Sequence, residues 1–214
     1  MKNYFTLAGF LLCFAGTASA DALEEALRPI QDEWAQIKYR LPEKQQASRY
    51  HSLAQQARKL AEAYPDRAEP LVWEGIALSS EAGAKGGLGA LSLAKAARDK
   101  LELALLRDGH VLKGSAWTSL GTLYYKVPGW PIGFGDQARA EEMLNQAVAI
   151  NPTGIDPNYF RGEYLYERER YGEALKSLET ALKAPARSGR ELADSGRRQE
   201  IQALLARVKK EMEN

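Results

Sequence analysis

The chain has 214 residues, 45% hydrophobic and 27% charged, which is the make-up of an ordinary globular protein of one or two domains. Twenty-nine Lys and Arg against 28 Asp and Glu leave a formal charge of +1, so no whole-molecule field draws in nucleic acid or anionic lipid. One cysteine and two histidines exclude a disulfide scaffold, a cysteine-based zinc site and a thiol redox centre.

Residues 1–20 read as a cleavable export signal. Lys2 supplies the basic start, Tyr4 to Gly16 is an apolar stretch too short to span a bilayer, and Ala18-Ser19-Ala20 is a small-residue cleavage site before Asp21. Cys13 follows Leu11-Leu12, but a lipoprotein box wants a small residue before the cysteine, and Leu12 is large. Cleavage after Ala20 removes Cys13 and Lys2 and leaves a cysteine-free chain of zero net charge, suited to an oxidising compartment. No later stretch approaches the ~20 apolar residues of a membrane span. The expected location is the periplasm, with no membrane span in the mature chain.

From Ala22 to Met212 the apolar residues recur at spacings of three and four, and Ala, Leu, Glu, Arg, Lys and Gln dominate. Breaks fall at Leu41-Pro42, Tyr64-Pro65-Asp66, Gly83–Gly89, Asp108-Gly109, Val127–Gly135, Asn151–Asp156 and Ala184–Gly189. About seven helices and no strand are expected. The organisation is an N-terminal helix pair over 21–66, three helix-pair repeats over 67–190 and a capping helix over 191–214.

The repeat is legible in particular residues. Trp117, Leu120, Gly121 and Tyr124 match W-x₂-L-G-x₂-Y, and Ala140, Leu144, Ala147 and Pro152 continue the tetratricopeptide pattern. Gly162, Leu165, Ala174, Leu178 and Ala181 form a second copy, and Leu71, Gly75, Leu78, Ala97, Leu101 and Ala104 an earlier one. Leu53, Ala57, Leu60 and Pro65 fit the second helix of a divergent first unit. The glycines let paired helices approach, the alanines are their small partners, and the leucines fill space toward the next unit. One such pair cannot bury its own apolar face, so the units must stack. The expected fold is an all-α, right-handed α-α superhelix of tetratricopeptide-like helix pairs, closed by a C-terminal helix. That helix should start near Asp194-Ser195, bury Ile201, Leu204, Leu205 and Val208, and turn Arg197, Arg198, Lys209 and Lys210 to water.

Gly162 to Ala174 is 12 residues, but Gly75 to Ala97 is 22 and Gly121 to Ala140 is 19. The first two repeats therefore carry insertions between their helices, one Gly-rich and one rich in Pro and aromatics, expected on the same edge. The run Val127–Asp136, with Ile150-Asn151-Pro152 and Gly154-Ile155-Asp156-Pro157-Asn158-Tyr159-Phe160, resembles the T-component family of exported tetratricopeptide proteins associated with tripartite ATP-independent periplasmic (TRAP) transporters. The resemblance covers roughly residues 60–205. It implies a periplasmic helical-repeat protein in an auxiliary role beside a solute-binding protein.

No catalytic constellation emerges. Gly133-Phe134-Gly135-Asp136-Gln137-Ala138 formally matches G-x-G-x-x-A but lacks the preceding strand, and reads as a glycine turn with Asp136 capping a helix. Lys85 is not followed by Ser or Thr in a phosphate-loop register, and His51 and His110 show no metal-ligand spacing. Glu167-Arg168-Glu169-Arg170 and Arg197-Arg198 read as solvated faces. No catalytic, cofactor or metal residues are assigned. Periplasmic cell-wall lyases carry helical superhelices, but the repeats consume this chain and leave no room for a catalytic domain.

Two functions remain: a scaffold that docks a protein partner, or a carrier that encloses a small hydrophobic ligand. Repeat geometry places Thr118, Tyr125 and Lys126 in one unit, and Tyr159, Tyr166 and Glu167 in the next, on the concave groove. The tyrosines either face a partner or pack on a neighbouring helix. In the second insertion Trp130 and Phe134 are candidate anchors, with Trp130 expected to pack inward between prolines and Phe134 to be the more exposed.

Overall fold

The computed structural model describes residues 15–213. The expected signal thus lies mostly outside the described residues, as do Lys2 and Cys13. Nine helices follow in the described part: α1 (Ala15–Arg40), α2 (Glu43–Ala63), α3 (Glu69–Lys85), α4 (Gly87–Arg107), α5 (Val111–Lys126), α6 (Gln137–Ile150), α7 (Ile155–Glu167), α8 (Tyr171–Leu182) and α9 (Glu191–Glu213). Among the described residues there is no strand, and an isolated bridge joins Gly129 to Gly135. The architecture is the expected all-α superhelix of tetratricopeptide-like pairs.

Helix ends follow local chemistry. Pro70 sits in the first turn of α3, where its missing N–H costs nothing. Asp136 caps α6, its carboxylate accepting from the Arg139 N–H at 3.1 Å. The turn between α7 and α8 carries neither Gly nor Pro; Glu169 turns there at φ 59°, and the Arg170 N–H donates to the Leu165 carbonyl at 2.9 Å. Leu112, Lys113 and Gly114 also have positive φ, so regular α5 starts after them.

The Gly-rich insertion is not the expected loop. α3 runs unbroken through Gly83 to Lys85, and the chain turns at Gly86 and Gly87, with φ 61° and 63°. Intervening alanines favour helix enough to outweigh single glycines. The extra residues lengthen both helices, to 17 and 21 residues against 13 and 12 for α7 and α8.

Within each repeat the same contact recurs. A Cβ on Gly75 would stand 2.6 Å from Leu101 Cγ, one on Gly121 2.7 Å from Leu144 Cγ, and one on Gly162 2.7 Å from Leu178 Cγ. Each leucine therefore occupies the space its own repeat's glycine leaves, rather than reaching mainly toward the next repeat.

The odd-numbered helices form the inner layer. α1 touches α3, α3 touches α5, α5 touches α7 and α7 touches α9. α9 in turn touches α1, so the superhelix closes on itself. At that seam the Tyr39 hydroxyl donates to Glu200 at 3.2 Å, and Lys38 pairs with Glu200 at 3.4 Å. Gly196 lies directly against the Tyr39 ring. α9 starts at Glu191, three residues before Asp194, and buries Ile201, Leu204, Leu205 and Val208. Arg197 does not face water: it is 5% exposed, drawn inward by acidic partners on α7 and α9.

Candidate functional site

The closed inner layer surrounds a cleft of about 890 Å³. The extended α3–α4 hairpin gives it width, because its facing positions are small: Ala82, Gly83, Gly87, Ala90 and Ala94. Trp34, Ile76, Leu91, Leu123 and Phe160 supply apolar wall. Most wall hydroxyls are spent on their own helices. Ser80 donates to the Ile76 carbonyl at 2.8 Å, Ser115 to Leu112 at 2.8 Å, Thr118 to Gly114 at 3.2 Å and Thr122 to Thr118 at 2.8 Å. Their remaining lone pairs accept, so this wall offers few donors.

One end of the cleft is charged. Asp156, in the first turn of α7, meets Arg187 at 2.7 Å and Arg197 at 2.9 Å. Arg187 also holds Asp194 at 2.6 Å, and Arg197 holds Glu200 at 2.6 Å while stacking on Tyr159 and Phe160. Burial alone would raise the Asp156 carboxyl; the guanidinium groups of Arg197 and Arg187 outweigh it and hold the pKa at about 2. Arg190 differs from its neighbours. Its guanidinium lies over the Trp73 ring, 5.3 Å from the centroid, and reaches Gln31 at 3.4 Å. Burial and the nearby Arg187 charge lower its pKa.

The second insertion, Val127–Gly135, stands at the rim, where Pro128 and Ile132 border the cleft. Its neck is closed by the Gly135 N–H donating to the Pro128 carbonyl at 2.9 Å, and its base by the Asp136 N–H donating to Tyr124 at 2.9 Å. The Trp130–Pro131 peptide is cis. The insertion leans on α4 of the preceding repeat: Arg98 stacks on Phe134, and Leu91 lies against Gly133.

This arrangement reverses the expectation for the two aromatic residues. Trp130 is 89% exposed, and Phe134 is half-buried, edge-on to Tyr124 at 5.5 Å. The neck has room only for backbone, since a Cβ on Gly133 or Gly135 would strike the Val127-Pro128 strand of the loop. A ring at the tip therefore points out, and the ring beside the neck drops between α4 and α5.

The groove residues fall into three settings. Thr118, Lys126 and Tyr159 line the cleft, Thr118 and Tyr159 buried and Lys126 exposed. Tyr125 is buried in the α5–α7 seam, its hydroxyl donating to Glu163 and its ring edge-on to Tyr164. Burial pushes its hydroxyl well above the usual tyrosine range. Tyr166 packs under Arg207 of α9, and Glu167 pairs with Lys126; both border a smaller pocket of about 230 Å³. Arg187 and Arg190 escaped the sequence reading, which took Arg197 for a solvated charge and Asp156 only for part of the family-like segment. The one local signal is the pair Arg187 and Arg190 just ahead of the last helix, and Asp156 stands 31 and 41 residues from its partners Arg187 and Arg197.

Among the described residues no group of three or more His, Cys, Asp or Glu could hold a metal ion, and no helix is long and apolar enough to cross a membrane. No protein-family description and no curated protein sequence matches the chain. Solved structures do. A thermophilic tetratricopeptide-repeat protein of Thermus thermophilus superposes with a TM-score of 0.57 at 19% identity, covering 88% of this chain and 91% of its own. A crystal structure of MamA covers 79% of this chain and 92% of its own, at 18% identity and a TM-score of 0.45. The superposition on the Thermus protein gives the chain the tetratricopeptide fold.

Proposed function

We propose that the protein is a non-enzymatic, periplasmic tetratricopeptide scaffold that docks a protein partner at the mouth of its inner cleft. The observation that carries this reading is the rim loop. Trp130 and Ile132 are 89% and 69% exposed on a loop hydrogen-bonded at its neck and braced on α4. An exposed aromatic on a preorganised loop is how interfaces place their strongest anchors. The resemblance to TRAP T-components makes the partner a periplasmic solute-binding protein, and this chain an auxiliary of that transport system. A photo-crosslinking residue at position 130 in the exporting cell should give one discrete protein adduct, and Ile132→Ala should weaken it. A fully exported protein with no adduct contradicts the reading.

The cleft supports a second reading, a carrier for a small hydrophobic ligand. Its volume of about 890 Å³ lies in the range of ligand pockets, and its long wall is small and apolar. Native mass spectrometry of the purified protein separates the two: a bound small molecule favours the carrier, a bound protein the scaffold.

A further inference from the structure

The charged end of the cleft holds one cation that the fold leaves without a close carboxylate. Lys38, Arg187, Arg190 and Arg197 face Glu43, Asp156, Asp194 and Glu200. Lys38, Arg187 and Arg197 each have a carboxylate within 4.0 Å, as does Lys126 at the other end. Among the described cations lining the cleft, Arg190 is the one without such a partner. Asp156, Asp194 and Asp32 act on it only at a distance, and they are outweighed by burial and by Arg187. A partly buried guanidinium normally carries a paired anion, and Arg190 has only the Gln31 amide oxygen, at 3.4 Å.

Trp73, beneath Arg190, and Tyr50 also line this end. The Trp73 indole N–H, the Tyr50 hydroxyl and one carboxylate oxygen each of Glu74 and Glu81 are sealed in the packing without a hydrogen bond, so the group this end offers to the cleft is the Arg190 guanidinium. The opposite wall, from Ala82 to Ala94, is apolar and made of small side chains. Arg190 is therefore the place at this end where a carboxylate can pair, and the rest of the cleft suits hydrocarbon.

We propose that the cleft binds a small organic monoanion, a carboxylate on an apolar or aromatic body, with Arg190 as the residue that pairs with the carboxylate. Trp73 holds the guanidinium in place from below, and the α3–α4 wall takes the body. This rests on the carrier reading above, and adds to it the charge of the ligand and the residue that reads it. Arginine suits the task because its planar fork meets both carboxylate oxygens.

The test is calorimetric titration of the full chain with two probes of equal body, 4-phenylbutyrate and 4-phenylbutan-1-ol. The carboxylate should bind at least tenfold more tightly than the alcohol. Arg190→Gln should abolish that preference while leaving the alcohol within twofold, and Arg190→Lys, which keeps the charge, should retain part of it. Ala90→Trp, on the far wall, should block both probes and so locate them in the cleft without touching the arginine. Circular dichroism melting of each variant shows whether it is folded; if Arg190→Gln is not, Arg190→Lys and Ala90→Trp carry the test. Equal affinities for the two probes, or a preference that survives in Arg190→Gln, overturns the anion assignment and leaves an apolar carrier. Binding of neither probe at millimolar concentration overturns the carrier reading as well, and leaves the protein-docking loop untouched.

Discussion

The interior of the repeats and the seam that closes the ring are held by opposite chemistries. Inside the repeats, Gly75 with Leu101, Gly121 with Leu144 and Gly162 with Leu178 make one steric contact three times, all of it apolar. At the seam Lys38 and Tyr39 meet Glu200 and Arg190 meets Gln31, and beside it Arg197 and Asp156 bind α9 to α7, each pair occurring once. The repeated contact sets the fold class. The unrepeated one turns an open concave face into an enclosed cleft, and so decides what the molecule can hold.

The largest effect should come from breaking the charged end. Arg197→Ala removes a 5%-exposed guanidinium that bridges Asp156 and Glu200 and leaves them only Arg187 and Lys38, which should cost about 3 kcal/mol in urea unfolding. A loss below about 1 kcal/mol would make the cluster an ornament of an otherwise self-sufficient solenoid. Next come the repeat glycines. Gly121→Ala and Gly162→Ala place a methyl group 2.7 Å from a buried leucine and should each cost about 1–3 kcal/mol. Similar losses at both sites would show that the repeat is energetic as well as geometric.

Acid should act on the charged end beside the seam and spare the apolar contacts of the repeats. Asp156 titrates near pH 2 in the folded chain, below its unfolded value of about 3.9. Its contribution is therefore complete above about pH 4 and is lost as the pH falls through 2. With the side chain 30% exposed, that contribution is about 1–2 kcal/mol. Asp156→Asn should narrow the stability gap between pH 6 and pH 2.5 by this amount; an unchanged gap would remove Asp156 from the acid response. The smallest effect is expected at the rim: Trp130→Ala should change stability by less than about 0.5 kcal/mol, and Phe134→Ala should cost more.

What the sequence revealed follows the same division. Tetratricopeptide spacing is a local code, so Gly121 and Ala140 mark the close helix approach in the sequence itself, whereas Leu144, expected to reach toward the next unit, fills the space beside Gly121. The turn at Gly86 was harder to place, because glycines scattered among alanines permit either a loop or two longer helices, and packing chose helix. Trp130 and Phe134 were exchanged because the neck of their loop admits only backbone, a constraint set by Val127 and Pro128 meeting Gly135. The cleft was least legible. Tyr39 and Glu200 are 161 residues apart, and nothing near either residue marks the other. Arg197 read as a solvated charge because a helix pattern shows which face is apolar, not which charge finds a buried partner.

The closure itself can be tested with the residues already present. A zero-length carbodiimide joins a lysine to a carboxylate only when they touch, and Lys38 lies 3.4 Å from Glu200. Lys100 and Glu74, 3.0 Å apart within one repeat, are the internal reference. Peptide mass spectrometry of the cross-linked full chain should find both the Lys38–Glu200 and the Lys100–Glu74 amides. The Lys100–Glu74 amide without the Lys38–Glu200 amide would mean an open solenoid, and an enclosed cleft would no longer be part of this protein.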